Sequence, residues 1–283
     1  MRIGVRAHDF GKLPAEELAG RIAAKGLSCV QLALSKAIEG LNLHPGDLNS
    51  GLAFHIAQAF HRHGLQIAVL GCYVNPIHPD PETRRVLLGF FKEHLRFARD
   101  FGCGLVALET GSLNADYSFH PDNHGEQALE LSLASIASLV EEAEKWGVIV
   151  GIEGVATHVV STPARMRRVL DTIGSSHLQV VFDPVNLLST HNYRNQDAII
   201  QQAFDLYGDR IVVLHAKDFI VKDTEFRAVR TGQGCFNHEL LLGLLRKRKP
   251  HINLLLEEVG ENTVADCIQF LHKVDSRTGS AEE

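Results

Sequence analysis

Short apolar runs recur along the whole chain and alternate with longer segments that have a helical hydrophobic period. Several of these longer segments, such as "PAEELAGRIAAKG" and "TPARMRRVLDTIG", end at glycine, as helices often do. Near-continuous apolar strands that alternate with helices are typical of parallel strands covered by helices. The pattern therefore predicts an α/β protein whose eight strands are "IGVRA", "CVQLAL", "QIAVLG", "LVALE", "VIVGIE", "LQVVFD", "IVVLHA" and "INLLLEE".

The number of units and the lengths of the loops distinguish two architectures with this alternation. Eight units in 283 residues match a (β/α)8 TIM barrel, and a doubly wound open sheet would show the same order. The first strand ends in "RAHDFGKLP", which is not a glycine-rich dinucleotide fingerprint. The long loops all follow strands, at residues 110–124, 184–195 and 216–237. We therefore predict a single-domain TIM barrel over residues 1–275, with a polar tail at 276–283.

Composition and charge indicate which kinds of molecule the protein could bind. The formal net charge is −6 and no basic run is present, so we expect no nucleic-acid partner. The five cysteines are widely and irregularly spaced, which indicates reduced thiols. The first residues lack the apolar core of a signal peptide, and no apolar run is long enough to cross a bilayer. We expect a cytoplasmic protein that binds a small polar molecule and no membrane; the sequence does not decide whether it forms a homo-oligomer.

Potential metal ligands end the last four predicted strands. A lone acid at a strand end is more often a helix cap or an ion-pair partner than a metal ligand. Adjacent barrel strands are about 4.8 Å apart, however, so four such groups at one level can converge on one ion. Three carboxylates and an imidazole suit Mn²⁺, Mg²⁺ or Co²⁺ better than a structural zinc. The predicted ligands are Glu153 in "GIEG", Asp183 in "VFDP", His215 in "VLHAKD" and Glu257 in "LLLEE".

Two positions allow more than one interpretation. Glu258 follows Glu257 directly, and only one of these glutamates can point into the site because neighbouring strand residues face opposite sides. Glu109 could bind substrate, or it could be an ion-pair partner of Arg6 or Lys217 at the barrel mouth. Further polar residues on the same rim are predicted to bind substrate: His8, His158, Asn186 and Lys217.

Four segments resemble the xylose isomerase-like TIM-barrel superfamily, in its branch of sugar phosphate isomerases and epimerases. The likeness covers nearly the whole chain and rests on "GIEG", "VVFDPVN", "VLHAKD" followed by a "GQG" turn, and "LLLEE". In ketose epimerases of this superfamily the corresponding residues bind one divalent metal, usually manganese, and the two glutamates also move protons. The resemblance implies that Mn²⁺, with Mg²⁺, Co²⁺ or Zn²⁺ as alternatives, is held by Glu153, Asp183, His215 and Glu257, and that Glu153 and Glu257 are catalytic. It also favours Glu257 over Glu258.

The chain departs from the ketose epimerases at two substrate positions. Asn186 stands where those enzymes have a substrate-binding histidine, and Val221 stands where they have an arginine. The nearest arginines are Arg227 and Arg230, and Arg227 is predicted as a substrate-binding residue. The substrate is therefore less well defined by the resemblance than the metal site.

The resemblance implies an isomerase or epimerase that acts on a keto-sugar or a related polyol through a metal-stabilised enediolate. A keto-inositol dehydratase is an alternative, because it begins with the same enolisation and then expels hydroxide. A non-catalytic sugar-binding barrel is a second alternative, and the complete set of four ligands argues against it. The related apurinic endonucleases need additional histidines, and Asn186 replaces one of them. Abasic-site cleavage is therefore not expected.

Overall fold

The barrel predicted from the hydrophobic pattern is confirmed. The computed structural model describes residues 1–280. Eight parallel strands close on themselves in the order β1-β10-β7-β6-β5-β4-β3-β2, so only the hairpin strands β8 and β9 lie outside the barrel among the described strands. The barrel strands are β1 (Arg2–Arg6), β2 (Cys29–Leu32), β3 (Gln66–Gly71), β4 (Leu105–Glu109), β5 (Ile149–Glu153), β6 (Leu178–Phe182), β7 (Ile211–Ala216) and β10 (Asn253–Leu256).

Helices cover the outside of the barrel and have recognisable ends. Asn49, Asp80, Thr162 and Asn237 each accept a backbone N–H at a helix start. Gly147 ends a helix in the left-handed region, at φ 60°, which a residue with a side chain adopts only at a cost. The helices are α1 (Ala15–Ala23), α2 (Leu34–Ala37), α3 (Ser50–Arg62), α4 (Pro81–Phe97), α5 (Glu126–Trp146), α6 (Pro163–Ile173), α7 (Gln196–Tyr207), α8 (His238–Arg248) and α9 (Val264–Ser280).

The barrel register brings the carboxyl ends of the strands to one level. Glu109 at the end of β4 pairs in register with Glu153 at the end of β5, and His215 on β7 pairs with Leu255 on β10. Most strand residues below this level are apolar and buried. Polar side chains at the strand ends therefore meet in one place, above a packed interior.

A two-stranded hairpin interrupts the loop that was predicted between residues 216 and 237. Its strands are β8 (Asp218–Lys222) and β9 (Glu225–Val229), which pair antiparallel. The turn between them uses Asp223 and Thr224 with φ of 50° and 70°, as a type I′ turn requires. Because neither residue is glycine, the usual sequence signal of such a turn is missing.

The predicted polar tail begins within a helix. Helix α9 continues to Ser280, so the first residues of the tail are helical. Residues 281–283 of that tail lie outside the described residues, and the domain boundary at 275 stays a prediction. All five cysteines are free thiols. No helix within residues 1–280 has the length and apolar character needed to cross a membrane.

Candidate active site

A cavity of about 440 Å³ opens at the carboxyl ends of the barrel strands. Charged and aromatic side chains line it, including Arg6, Lys36 and Tyr73. Six of the residues predicted for the site are also in its lining: His8, Glu109, Glu153, Asn186, Lys217 and Glu257. Loops at this end of a TIM barrel carry the active site in characterised enzymes of this fold. The cavity is therefore the candidate active site.

The predicted metal ligands converge at the base of this cavity. Ligand atoms of Glu153, Asp183 and His215 all lie within 4.8 Å of one another. Glu257 joins them through His215, because its Oε1 is 3.0 Å from Nδ1 of the imidazole, and Oε2 of Glu153 is 3.4 Å from the same nitrogen. All four residues are buried, with at most 4% of each exposed. The structure therefore brings the four predicted ligands into one cluster.

Asp183 is positioned by the turn that follows β6. Its Oδ1 accepts the backbone N–H groups of Val185, at 2.9 Å, and Asn186, at 3.0 Å. Its Oδ2 faces the ammonium group of Lys217 at 2.8 Å. One oxygen thus caps a short helical turn while the other points into the cluster, so the helix-cap and ligand interpretations of this acid are compatible.

Asn186 contacts the cluster through Glu153. The Nδ2 group donates a hydrogen bond of 2.6 Å to Oε1 of Glu153. This bond leaves Oε2 of Glu153 directed at His215. The substrate-binding role of Asn186 stays a prediction, and in the structure its amide orients a predicted ligand.

Lys217 is the buried counter-ion of the cluster. Its Nζ lies 2.8 Å from Asp183 and 3.1 Å from Glu257. Burial alone would lower the pKa of this lysine, but the carboxylates of Asp183, Glu257 and Glu153 raise it above its ordinary value. Burial would raise the pKa of Glu257, yet Lys217, His215 and Arg6 hold it well below its ordinary value. Both side chains are therefore charged at neutral pH.

His215 is oriented by a residue that the sequence analysis did not identify. The Nε2 group of His215 lies 2.8 Å from Oε1 of Gln31, and the amide of Gln31 donates to the hydroxyl of Tyr73. Because Gln31 offers an acceptor, a neutral imidazole carries its proton on Nε2 and its lone pair on Nδ1, within the cluster. A sequence signal existed, since Gln31 is the one polar residue in the apolar run "CVQLAL".

Glu257 and Glu258 follow the end of β10 and lie in different environments. Glu257 lines the cavity and is 4% exposed. The side chain of Glu258 is 44% exposed and contacts Arg6 at 3.3 Å from outside. Of the two glutamates, the structure brings only Glu257 to the cluster.

Glu109, the register partner of Glu153, contacts His158. Oε2 of Glu109 is 3.3 Å from Nδ1 of His158, and the structure records no ion pair within residues 1–280 between Glu109 and either Arg6 or Lys217. Burial, and then the charges of Glu153 and Glu257, raise the pKa of Glu109 to about 7. Burial lowers the pKa of His158 to about 4. The imidazole is therefore neutral near pH 7, and this contact is not an ion pair.

Arg227 is not brought together with the other predicted residues. It lies on the hairpin strand β9, its side chain is 70% exposed, and it contacts Glu225 at 3.7 Å. Arg227 lies on the exposed strand of the hairpin, so sequence proximity to His215 does not place it in the cavity. The structure gives no support to its predicted substrate-binding role.

The residues of the cluster fit a divalent metal ion. Glu153, Asp183 and His215 could hold the ion, because their ligand atoms lie within 4.8 Å of one another and form a hard or borderline donor set. Glu257 stays a predicted fourth ligand. The Nδ1 atom of His215 is buried and has no hydrogen-bond partner in the described chain, although Glu153 and Glu257 are close. Burial lowers the pKa of His215, but Glu257 and Glu153 outweigh this effect and raise it to about 9. A cation would therefore have to displace a proton from this nitrogen.

Comparisons with known proteins agree with this architecture. A D-tagatose 3-epimerase-like protein superposes with a TM-score of 0.80 at 16% identity, with 100% of each chain covered. A xylose isomerase-like TIM barrel protein from Mycobacterium smegmatis, in complex with magnesium, gives 0.73 at 12% identity, covering 98% of this chain and 97% of the other. A xylose isomerase-like TIM barrel/4-hydroxyphenylpyruvate dioxygenase fusion protein gives 0.74 at 18% identity. The match covers 98% of this chain and 43% of the fusion protein.

At these identities the structural likeness shows the fold alone. No curated protein matches the chain by sequence. The family model described as xylose isomerase-like TIM barrel matches residues 19–274, which is most of the chain. The strand-end motifs and the closed barrel agree with that match, and the chain belongs to the xylose isomerase-like TIM barrel family.

Proposed function

We propose that the protein is a divalent-metal-dependent isomerase or epimerase that acts on a keto-sugar or a related polyol. The observation that carries the proposal is the placement of Glu153 and Glu257. Their carboxylates lie 3.4 Å and 3.0 Å from the same nitrogen of His215, at the base of the cavity. Two buried carboxylates beside one binding centre are suited to removing a proton and returning it to a neighbouring position.

The reaction needs help from the site because a proton next to a ketone is too weakly acidic for a carboxylate to remove unaided. Glu153, Asp183, His215 and Glu257 would hold a divalent ion, Mn²⁺ in our proposal, and when bound it would supply Lewis-acid stabilisation of developing negative charge. Glu153 and Glu257 are the groups that hold and move the proton. Return of the proton to the opposite face of the same carbon inverts it, whereas return to the adjacent carbon interconverts a ketose and an aldose.

Neighbouring residues keep these two carboxylates in place. Asn186 holds one oxygen of Glu153, so the other oxygen faces the binding centre. Lys217 and Arg6 contact Oε2 of Glu257, at 3.1 Å and 3.5 Å, and leave Oε1 facing His215. Because each glutamate keeps one oxygen bound and one oxygen directed inward, both are oriented for the same site.

Solvent deuterium exchange tests the proposal. Protein loaded with Mn²⁺ is incubated in D₂O with a set of keto-sugars, their phosphates and keto-inositols, and the products are followed by NMR. We expect deuterium at the reacting carbon and a new epimer or isomer. Glu153→Gln and Glu257→Gln should each reduce the rate by about 10²-fold or more, since each removes a proton-transfer group.

The same experiment separates the alternatives. Loss of water from a keto-inositol, with no epimer formed, would identify a dehydratase instead. Full turnover in both glutamine variants, or turnover without solvent deuterium, would contradict the proton-transfer mechanism. Metal analysis of protein purified without chelator, followed by titration of chelated protein with Mn²⁺, Mg²⁺, Co²⁺ and Zn²⁺, tests the cofactor separately. Absence of a stoichiometric site would contradict the metal dependence.

A further inference from the structure

The cations that line the cavity differ in how they are paired. Arg6 contacts Asp9 at 2.8 Å and Glu257 at 3.5 Å, and Lys217 contacts Asp183 and Glu257. Lys36 also lines the cavity, yet it forms no ion pair with any carboxylate that the structure describes between residues 1 and 280. An unpaired cation at a cavity wall is free to bind an anion from solution.

Lys36 is positioned at the cavity although it is exposed to solvent. It lies on the short helix α2, and its Nζ is 4.6 Å from the centre of the Tyr73 ring. Tyr73 is tied in turn to Gln31, which orients His215. Stacking of the ammonium group on a fixed ring restricts its position without neutralising its charge.

His8 provides a second unsatisfied group on the same wall. Its Nδ1 atom is buried and has no hydrogen-bond partner within the described residues. Burial, then Arg6 and Lys36, lower the pKa of His8 to about 4, so the ring is neutral near pH 7. A neutral imidazole can donate one hydrogen bond to an anion beside a lysine. His8 and Lys36 both belong to the lining of this one cavity.

We propose that Lys36 and His8 form a subsite for an anionic group of the substrate, a carboxylate or a phosphate. This inference rests on the proposed function, and it defines the substrate as an acidic keto-sugar or keto-polyol. The reacting carbons lie at the buried glutamates, and the anionic group lies at the exposed end of the cavity. A charge-assisted contact at that end binds and orients the substrate without joining in proton transfer.

Binding of unreactive polyols tests the subsite independently of turnover. The probes are sorbitol, gluconate and sorbitol 6-phosphate, which have similar chains and differ in charge. Dissociation constants are measured by calorimetry with Mn²⁺-loaded wild type, Lys36→Met, Lys36→Arg and Lys12→Met. Lys12 is an exposed lysine that contacts Asn42 and is not part of the cavity lining, so Lys12→Met removes the same charge elsewhere on the surface.

We expect the wild type to bind at least one charged probe about tenfold or more tightly than sorbitol. Lys36→Met should remove most of this preference and leave sorbitol binding unchanged, whereas Lys36→Arg and Lys12→Met should retain it. A preference for gluconate alone would identify a carboxylate, and a preference for sorbitol 6-phosphate alone would identify a phosphate. A preference that survives in Lys36→Met would mean that the metal site attracts the anion, and it would overturn the subsite.

Failure of the subsite can be distinguished from failure of the proposed function. If no ketose is converted but the charged probes still bind through Lys36, the proposed reaction is wrong and the subsite stands. If ketoses are converted and no probe distinguishes Lys36→Met from wild type, the reaction stands and the subsite is wrong. Absence of binding by all three probes also counts against the subsite.

Discussion

The two halves of the cavity rim use charge in different ways. In the ligand half, formed by the ends of β5, β6, β7 and β10, the carboxylates and His215 are at most 4% exposed. In the open half, formed by the ends of β1 to β4, the side chains of Arg6 and Glu109 are 21% and 28% exposed, and Lys36 is exposed to solvent. The halves face each other across one cavity.

Burial explains the difference in pairing. An isolated charge in the ligand half would lose its hydration, so each acid there contacts a cation, an N–H donor or the imidazole. A charge in the open half keeps part of its hydration, so Lys36 can remain without a carboxylate partner. We infer that the ligand half is preorganised for a metal and for proton transfer, while the open half recognises the remainder of the substrate.

Replacement of Lys217 should have the largest effect of the changes considered, and that effect is on stability. Lys217→Met leaves Asp183 and Glu257 buried without their shared cation, which should lower the free energy of unfolding of chelated protein by about 3–5 kcal/mol. Arg6→Met, in the more exposed half, should cost less. Chemical denaturation of both variants measures the difference. Equal losses would contradict the distinction between the halves, and added Mn²⁺ should restore more stability to Lys217→Met than to wild type.

Next in size is the contrast between two adjacent glutamates. Glu257→Gln should lower kcat by about 10²-fold or more, because it removes a predicted proton-transfer group. Glu258→Gln is the matched control and should change kcat less than about threefold, since Glu258 is exposed and outside the cavity. Steady-state kinetics on the best-converted ketose provide the measurement. The reverse order of effects would place Glu258 in the site.

A residue of the open half should affect the metal through His215. Gln31→Leu removes the acceptor for Nε2 and should weaken Mn²⁺ binding by about 10–100-fold. Gln31→Glu keeps an acceptor and should weaken it less. Calorimetric titration of chelated protein gives both affinities, and electron paramagnetic resonance of bound Mn²⁺ reports changes in its surroundings. Identical affinities in wild type and Gln31→Leu would show that the contact does not support the site.

The smallest expected effect comes from the titration of His215. As the pH rises, the stability of chelated protein should fall and its affinity for Mn²⁺ should rise. In the folded protein the pKa of His215 is raised from 6.5 to about 9. Protonated His215 therefore contributes fully to the free energy of unfolding of chelated protein below pH 6.5, and this contribution is lost as the pH rises through 9. Mn²⁺ affinity should rise over the same window, by at most about tenfold per pH unit, because the metal displaces this proton. Titrations at pH 6, 7 and 8, in buffers of different ionisation enthalpy, measure affinity and proton release. An affinity that falls with pH would exclude this competition.

Most residues of the ligand half could be predicted from the sequence because they lie at the ends of the predicted strands. Glu153, Asp183, His215 and Glu257 each end an apolar run, and parallel strands in a barrel end at one level. The open half was harder to predict because Lys36 and Tyr73 lie beyond their strands, in segments without a regular period. The sequence alone does not assign a role to Gln31, because a polar residue within a strand has no defined partner until the barrel closes.

The hairpin β8–β9 is a second feature that could not be predicted from the sequence. Its turn at Asp223 and Thr224 lacks glycine, so the sequence predicts a loop there and an Arg227 near the substrate. Local sequence gave no sign that antiparallel pairing would carry Arg227 outward. Which side of a hairpin faces a cavity depends on how the hairpin packs on the barrel, and that packing involves residues far apart in the chain.

The sequence by itself determined the barrel, its eight strands and the chemical types at the strand ends, because these follow from local hydrophobic period and from the parallel order it imposes. Only the tertiary structure decided that Glu257 points inward, that Gln31 meets His215 across 184 positions of sequence, and that Lys36 is left unpaired beside the cavity. The physical reason is that direction, burial and pairing of a side chain are set by neighbours from other strands, which become neighbours only when the barrel closes.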